Sequence, residues 1–207
     1  MALAPTAEAP GNQAEAFLGE RPTFRGVVLL RDRFQIDPAT PLPDVDGSTK
    51  AYAVNDRLET GRNLYALICT PGLPPRIDAM AALKGVALRG QQTLVEAGTV
   101  EWPLLGQRCM AVIYERPLGG RFCDSPFSIG AKIPEAEMLR RLIRPAVVSL
   151  KAYANKKICH RAIRPNNLFF ADRDQQSLVL GDCCTAPPGY DQPAVFETLE
   201  RSMASQG

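Results

Sequence analysis

Two short stretches gather the residues best suited to chemistry: HRAIRPNNLFF at 160–170 and LVLGDCC at 178–184. His160 is the only histidine of the chain. Asn167 and Asp182 carry hard oxygens at the ends of short apolar runs. Such oxygens suit a divalent cation such as Mg²⁺, or the backbone donors of their own turns, and residue type alone leaves both readings open. Six cysteines are present: Cys69, Cys109, Cys123, Cys159, Cys183 and Cys184. None lies in a CxxC pair, so the spacing of a structural zinc site is missing. Cys69, Cys109 and Cys159 sit in or beside apolar runs and are expected to be buried small hydrophobes. The Cys183–Cys184 pair is read the same way, because thiol reactivity needs an exposed, electropositive setting.

These residues must be positioned by the elements around them. Residues 24–34, FRGVVLLRDRF, are expected to form a strand, and the Pro/Asp-rich 36–48 a loop. TKAYAV and LYALIC read as two further strands joined by the polar 55–63. Residues near 77–96 turn helical, with Ile77, Met80, Ala81 and Leu88 at helical spacing, against which Gly85 and Gly90 count. TVEWPLL and CMAVIYER return to strand. The Gly- and Pro-rich 117–133 is the candidate boundary between two lobes.

Residues 134–157 form the strongest predicted helix, with Pro145 inside it implying a kink or break. Leu139, Leu142, Ile143, Ala146, Val147, Leu150 and Tyr153 trace one apolar stripe. Arg140, Arg141, Arg144, Lys151, Lys156 and Lys157 read as a solvated face opposite it. NLFF and LVLGD then make a hairpin around ADRDQQS. In the last helix-like piece, AVFETLERSMA, Phe196, Leu199 and Met203 share a face.

Composition bounds the rest. The chain has 207 residues, 45% hydrophobic and 22% charged, enough for a sizeable core. A net charge of +2 gives no global attraction to nucleic acid, which is not an expected partner. No apolar run reaches membrane-spanning length, so no membrane role is expected. Residues 1–22, rich in Ala, Pro, Glu and Gln, are expected to be a disordered leader. They show no export-signal pattern, so the expected compartment is a reducing cytoplasm.

The order strands, helix, strands, linker, long helix, HRAIRPNNLFF, LVLGDCC resembles the protein kinase-like superfamily. His160, Arg161 and Asn167 match the His, Arg and Asn of that superfamily's catalytic loop, and Asp182 matches the Asp of its metal-binding DFG triplet. The resemblance spans residues 24–200 as an order of elements and is sharp over 158–182. It implies an α+β bilobal fold: a small antiparallel-sheet N-lobe at 23–118 and a truncated, mainly helical C-lobe at 119–207. It implies ATP and Mg²⁺ as cofactors, with Asn167 and Asp182 as metal ligands, and Lys50 and Ala66 beside the nucleotide.

The departures from the pattern are several. Ala162 stands at the catalytic Asp position, so no side chain there accepts a proton, and no catalytic residue is assigned. Cys183 and Cys184 replace the Phe and Gly of the triplet. With Ala66 at the Ala of V-A-I-K, the Lys position falls on Ile68. The glycine-rich loop is missing, and the helical stretch offers only Asp78 and Glu96, neither with an obvious Lys partner. Lys50 stands as a substitute for the missing Lys or as an exposed strand-edge residue, the second being favoured. Arg161 is expected to bond backbone carbonyls or Asp182 rather than clamp a phosphorylated residue.

The resulting expectation is a degenerate, pseudokinase-like regulatory or binding module with a protein partner. The rivals are an atypical serine/threonine kinase with residual transfer, and an interaction domain whose cleft is filled by Ile68. The short stretch after Asp182 further reads as that of a fragment of a longer protein.

Overall fold

The computed structural model describes residues 26–43, 50–123 and 134–187. The predicted leader at 1–22, the presumed glycine-loop tip and the helix-like piece at 194–204 lie outside the described residues. Six strands form one antiparallel sheet: β1 (Val28–Leu30), β2 (Phe34–Pro41), β3 (Lys50–Asp56), β4 (Leu64–Ile68), β5 (Leu94–Trp102) and β6 (Gln107–Glu115). Their spatial order is β1-β2-β3-β4-β6-β5. Helix α1 (Ile77–Leu83) interrupts the sheet between β4 and β5.

A second region follows. It consists of α2 (Glu135–Met138), a π-helical turn (Leu139–Ile143), α3 (Arg144–Asn155), a 3₁₀ turn (Pro165–Asn167) and the hairpin β7 (Leu168–Phe170) with β8 (Leu178–Leu180). Among the described residues, no helix is long and apolar enough to cross a membrane.

Several expectations are corrected. The single strand over 24–34 is a hairpin, because Arg31 and Asp32 adopt positive φ and turn β1 back into β2. The Pro/Asp-rich stretch is strand as far as Pro41. Its register with β3 shifts between Ile36 and Pro41, where the Asp37 carboxylate accepts bonds from Ala39 N and Thr40 Oγ1. The helix expected over 77–96 stops at Leu83. Gly85 and Gly90 have φ of 68° and 81°, which a helix does not accommodate. At Pro145 the α-helical pattern is interrupted, as expected of a proline there, without the helix ending. The wider π turn just before it absorbs the missing N–H. At the C-terminal end, Lys157 adopts positive φ, Ile158 N bonds Tyr153 O and Lys157 N bonds Ala154 O, closing the helix as a Schellman motif.

The strands β4 and β6 are buried on both faces, so they serve two cores. Leu64, Ala66, Ile68, Ala111 and Ile113 pack with Ile36, Val54 and Trp102 on one face. Tyr65, Leu67, Cys69, Val112 and Tyr114 face the other way, against Met80 and Leu83 of α1, Tyr153 of α3, Phe169 of β7 and Cys183–Cys184. Each such large apolar side chain removed from water contributes roughly 1.5–3 kcal/mol. The second core therefore holds the hairpin onto the sheet. All six cysteines are free thiols; five are buried, and Cys159 is exposed rather than packed as expected.

Candidate functional site

The site lies where the end of β8 meets the turn after α3. Helix closure at Lys157 releases the chain into 158–164, and the 3₁₀ turn brings Asn167 to the start of β7. The hairpin then returns Gly181 and Asp182 beside it, since Gly181 N donates to Asn167 O at 2.8 Å. A Cβ on Gly181 would sit 2.1 Å from Asn167 Oδ1 and 2.8 Å from Phe169 Cε2, so this approach requires glycine.

The side chains expected to take a metal are turned inward. Asn167 Nδ2 donates to Ala162 O and to Asp182 O, both at 2.8 Å. Asp182 Oδ1 accepts from Tyr114 Oη at 2.5 Å and from Cys184 N at 2.9 Å. Its Oδ2 accepts from Thr185 N at 3.2 Å and from the Thr185 hydroxyl. A carboxylate has about four lone-pair positions, and four donors occupy them. Burial, then the neighbouring Asp182 charge, pushes the Tyr114 phenol well above its ordinary value. It therefore remains a proton donor.

His160 is equally committed. It is buried, stacked edge-on to Tyr153, and takes Ala162 N on Nδ1, which leaves Nε2 to face Gly181 O at 3.3 Å. Burial pushes its pKa down to about 4, so the ring is neutral near pH 7. Arg161 adopts positive φ and its residue is exposed.

Two further contacts, which no sequence motif marks, tie this loop to the sheet. Arg76, just before α1, donates to Cys159 O, His160 O and Cys183 O at 2.7–2.9 Å. Residues 90–92 run against β8: Leu180 N bonds Gly90 O, Gln92 N bonds Leu180 O, and Gln91 Nε2 bonds Gly181 O. Gly90 lies so near the helix that a Cβ would be 2.7 Å from Pro145 O. Tyr114 shared the alternation of β6 with Val112, so its inward face was readable; its partner was not.

The nucleotide-side residues are not brought to this site. Ala66 is fully buried in the opposite core, and Ile68 packs there too rather than filling the cleft. Tyr65 and Leu67 of β4, with Cys69 just past the strand's end, face the hairpin. Cys69 ends that row, its thiol pushed up to about 12 by burial and then by the Asp182 charge. Lys50 pairs with Ile68 and alternates with Ala51, the β3 residue in the hairpin-side core; it is exposed on the other face. It is exposed, as the favoured reading has it, but β3 lies between β2 and β4 and is not an edge strand. Glu96 does have a lysine, against expectation: Lys84 Nζ is 2.5 Å from its Oε1. That pair sits beyond the end of α1, within one turn-and-strand unit.

Mg²⁺ takes six oxygen ligands in near-octahedral geometry. The Asn167 Nδ2 bonds leave Oδ1 as the atom of that side chain able to ligate a cation, while four donors fill the Asp182 oxygens, so in this arrangement Asp182 offers the ion no vacant position. Among the described residues, no group of three or more His, Cys, Asp or Glu side chains is placed to hold a metal.

No family model matches the chain, and no curated protein does. Solved structures do. The chain is similar to the Neurospora crassa PAN3 pseudokinase, with a TM-score of 0.58 and 18% identity over 78% of this chain and 42% of that one. It is also similar to Rad53, crystallised as residues 1–466 in complex with AMP-PNP, with a TM-score of 0.54 and 17% identity over 73% of this chain and 38% of that one. The chain thus spans about two-fifths of the length of these solved chains. The fold is protein kinase-like: an antiparallel-sheet lobe followed by a helix and a hairpin.

Proposed function

We propose that this kinase-like chain is a regulatory or protein-binding module that does not transfer phosphoryl groups. One observation carries the reading: the Asp182 carboxylate spends its acceptor positions on Tyr114, Cys184 and Thr185. Phosphoryl transfer depends on metal ions that neutralise the phosphate oxygens, and a carboxylate so occupied does not offer them a ligand. Ala162 supplies no base, and the β4 row facing the hairpin ends in a neutral thiol rather than a lysine. The rival, a weak kinase using Lys50, loses support because that residue is exposed on the far face of β3.

The Rad53 chain was solved with AMP-PNP. For this chain the reading is that Asn167 and Asp182 brace the loop and take no Mg²⁺-nucleotide. The function then rests on protein contacts.

Radiolabelled ATP with Mg²⁺ and a generic protein substrate tests this. The expected outcome is no transfer above a no-protein blank, for wild type and for Asp182→Asn alike. Transfer by wild type that Asp182→Asn abolishes overturns the proposal.

A further inference from the structure

Cys183 and Cys184 do not alternate as neighbours in an extended chain do. Successive side chains of a strand point to opposite faces. Here the two sulfurs lie 3.8 Å apart. The turn that follows β8 is responsible: Asp182 Oδ1 accepts Cys184 N and Oδ2 accepts Thr185 N, which folds the backbone over the carboxylate. The same dipeptide anchors the approach to α1. Arg76 Nη1 donates to Cys183 O and Arg76 N donates to Cys184 O, each at 2.8 Å. Cys183 Sγ also meets Tyr153 Oη of α3 at 3.7 Å.

We infer that Cys183 and Cys184 are an oxidation site, which a hydroperoxide converts to a vicinal disulfide and a dithiol restores, and that the disulfide releases the start of α1. Cys183, 4% exposed against 0% for Cys184, meets the oxidant first. Its sulfur attacks one peroxide oxygen and the O–O bond breaks. The thiol proton leaves with the displaced oxygen, as water or an alcohol, and the sulfur becomes a sulfenic acid. The Cys184 sulfur then displaces that hydroxyl, which takes the second thiol proton and departs as water. The two thiols lose two electrons in total, and one peroxide gains them.

The closed turn governs the rate. Both sulfurs are enclosed, and the Cys183 contact and then burial hold Cys184 as the protonated thiol. Reaction therefore waits on opening of the turn, which the Asp182 bonds resist. Ring closure governs the consequence. The sulfurs must come from 3.8 Å to about 2.05 Å. Adjacent Cα atoms are about 3.8 Å apart, below the usual separation of bridged cysteines, so the dipeptide must twist. A twisted dipeptide no longer presents both carbonyls to Arg76. A bridge of this strained kind is also readily reduced, which makes the change reversible.

Peroxide treatment of the full-length protein, followed by unfolding and alkylation, tests the inference. The tryptic peptide 174–201 holds these two cysteines and no other. It is expected to lack both alkyl groups, and to accept them if dithiothreitol precedes alkylation. In the oxidised protein the Arg76 amide is expected to exchange its hydrogen about tenfold faster. Thr185→Val, which removes one bond of the turn, is expected to speed the oxidation. A peptide that stays dialkylated overturns the inference. So does a bridge to Cys69 or to a second copy, a sulfinic acid without a bridge, or a vicinal bridge that leaves Arg76 exchange unchanged. An unchanged rate in Thr185→Val overturns the control assigned to the turn.

Discussion

Two aspartates anchor this molecule, one at the tip of the sheet and one at the end of the hairpin, and they are held in different ways. Asp56, at the end of β3, is fully buried. It accepts Arg33 Nε and Nη2 at 2.8 and 2.7 Å, plus Leu58 N and Glu59 N. The Arg33 guanidinium, and then the two backbone donors, hold its carboxyl below the usual carboxylate range. Asp182 accepts as many bonds, all from neutral donors, and two of those donors are the almost fully buried Tyr114 and Thr185. Asp56 is a structural carboxylate neutralised by a cation. Asp182 has the bonding shell of a structural carboxylate without the cation. In sequence it looked like a metal ligand; in the fold it closes a turn and pins that turn to β6.

The comparison predicts unequal losses. Asp182→Ala strands the Tyr114 phenol, the Thr185 hydroxyl and two N–H groups, and Tyr114 and Thr185 are almost fully buried. A loss of about 4 kcal/mol in a denaturant melt is expected. If Asp182→Ala is neutral, the residue is not structural and the comparison fails.

The pH response separates the regions next. His160 beside Asp182 is held neutral, with its folded pKa about 4 against an ordinary 6.5. The unfolded chain then binds the extra proton first. The stability this group contributes is complete above pH 6.5 and lost as pH falls towards 4, by about 3 kcal/mol. Asp56 has the same sign in a more acidic window. Its contribution is lost only as pH falls below the ordinary carboxylate value, through its depressed folded pKa. Melts from pH 7 to pH 4 on wild type and His160→Gln should diverge in slope; parallel curves would contradict the buried neutral ring.

Asp56→Ala should cost less, about 2 kcal/mol, because Arg33 and Arg62 are 28% and 26% exposed and can turn to water. A loss exceeding that of Asp182→Ala would invert the comparison. Tyr114→Phe removes one donor and leaves one acceptor position open, for about 1 kcal/mol by thermal melt. A loss several times larger would mean that the phenol, not the carboxylate, is the keystone.

The sequence revealed the hairpin and the strands β3, β4 and β6, because each has a clean apolar run between turn signals. It also placed Asn167 beside Asp182, since seven residues of loop between two short strands leave little else. It misplaced Ala66 and Ile68 because β4 is apolar at every position and buried on both faces, so alternation does not say which face meets the hairpin. It overextended the helix after Ile77 because the apolar spacing continues past Gly85 and Gly90, whose positive φ only the fold reveals. The bond from Tyr114 to Asp182 joins residues 68 apart, and Arg76 reaches Cys183 across 107. Such contacts are set by the meeting of the sheet and the hairpin and leave no local pattern. The competing roles of Asn and Asp, turn cap or cation ligand, were both visible in the residue types, and tertiary neighbours decide between them.

The most direct test is the melting temperature of the wild-type chain in millimolar ATP, with and without Mg²⁺, beside Asp182→Asn. A ligand that binds the native state raises it by mass action. The account predicts no Mg²⁺-dependent rise in either protein. A rise that requires Mg²⁺ and vanishes in Asp182→Asn would mean that Asp182 leaves Tyr114 and Thr185 to take the metal, and would contradict it.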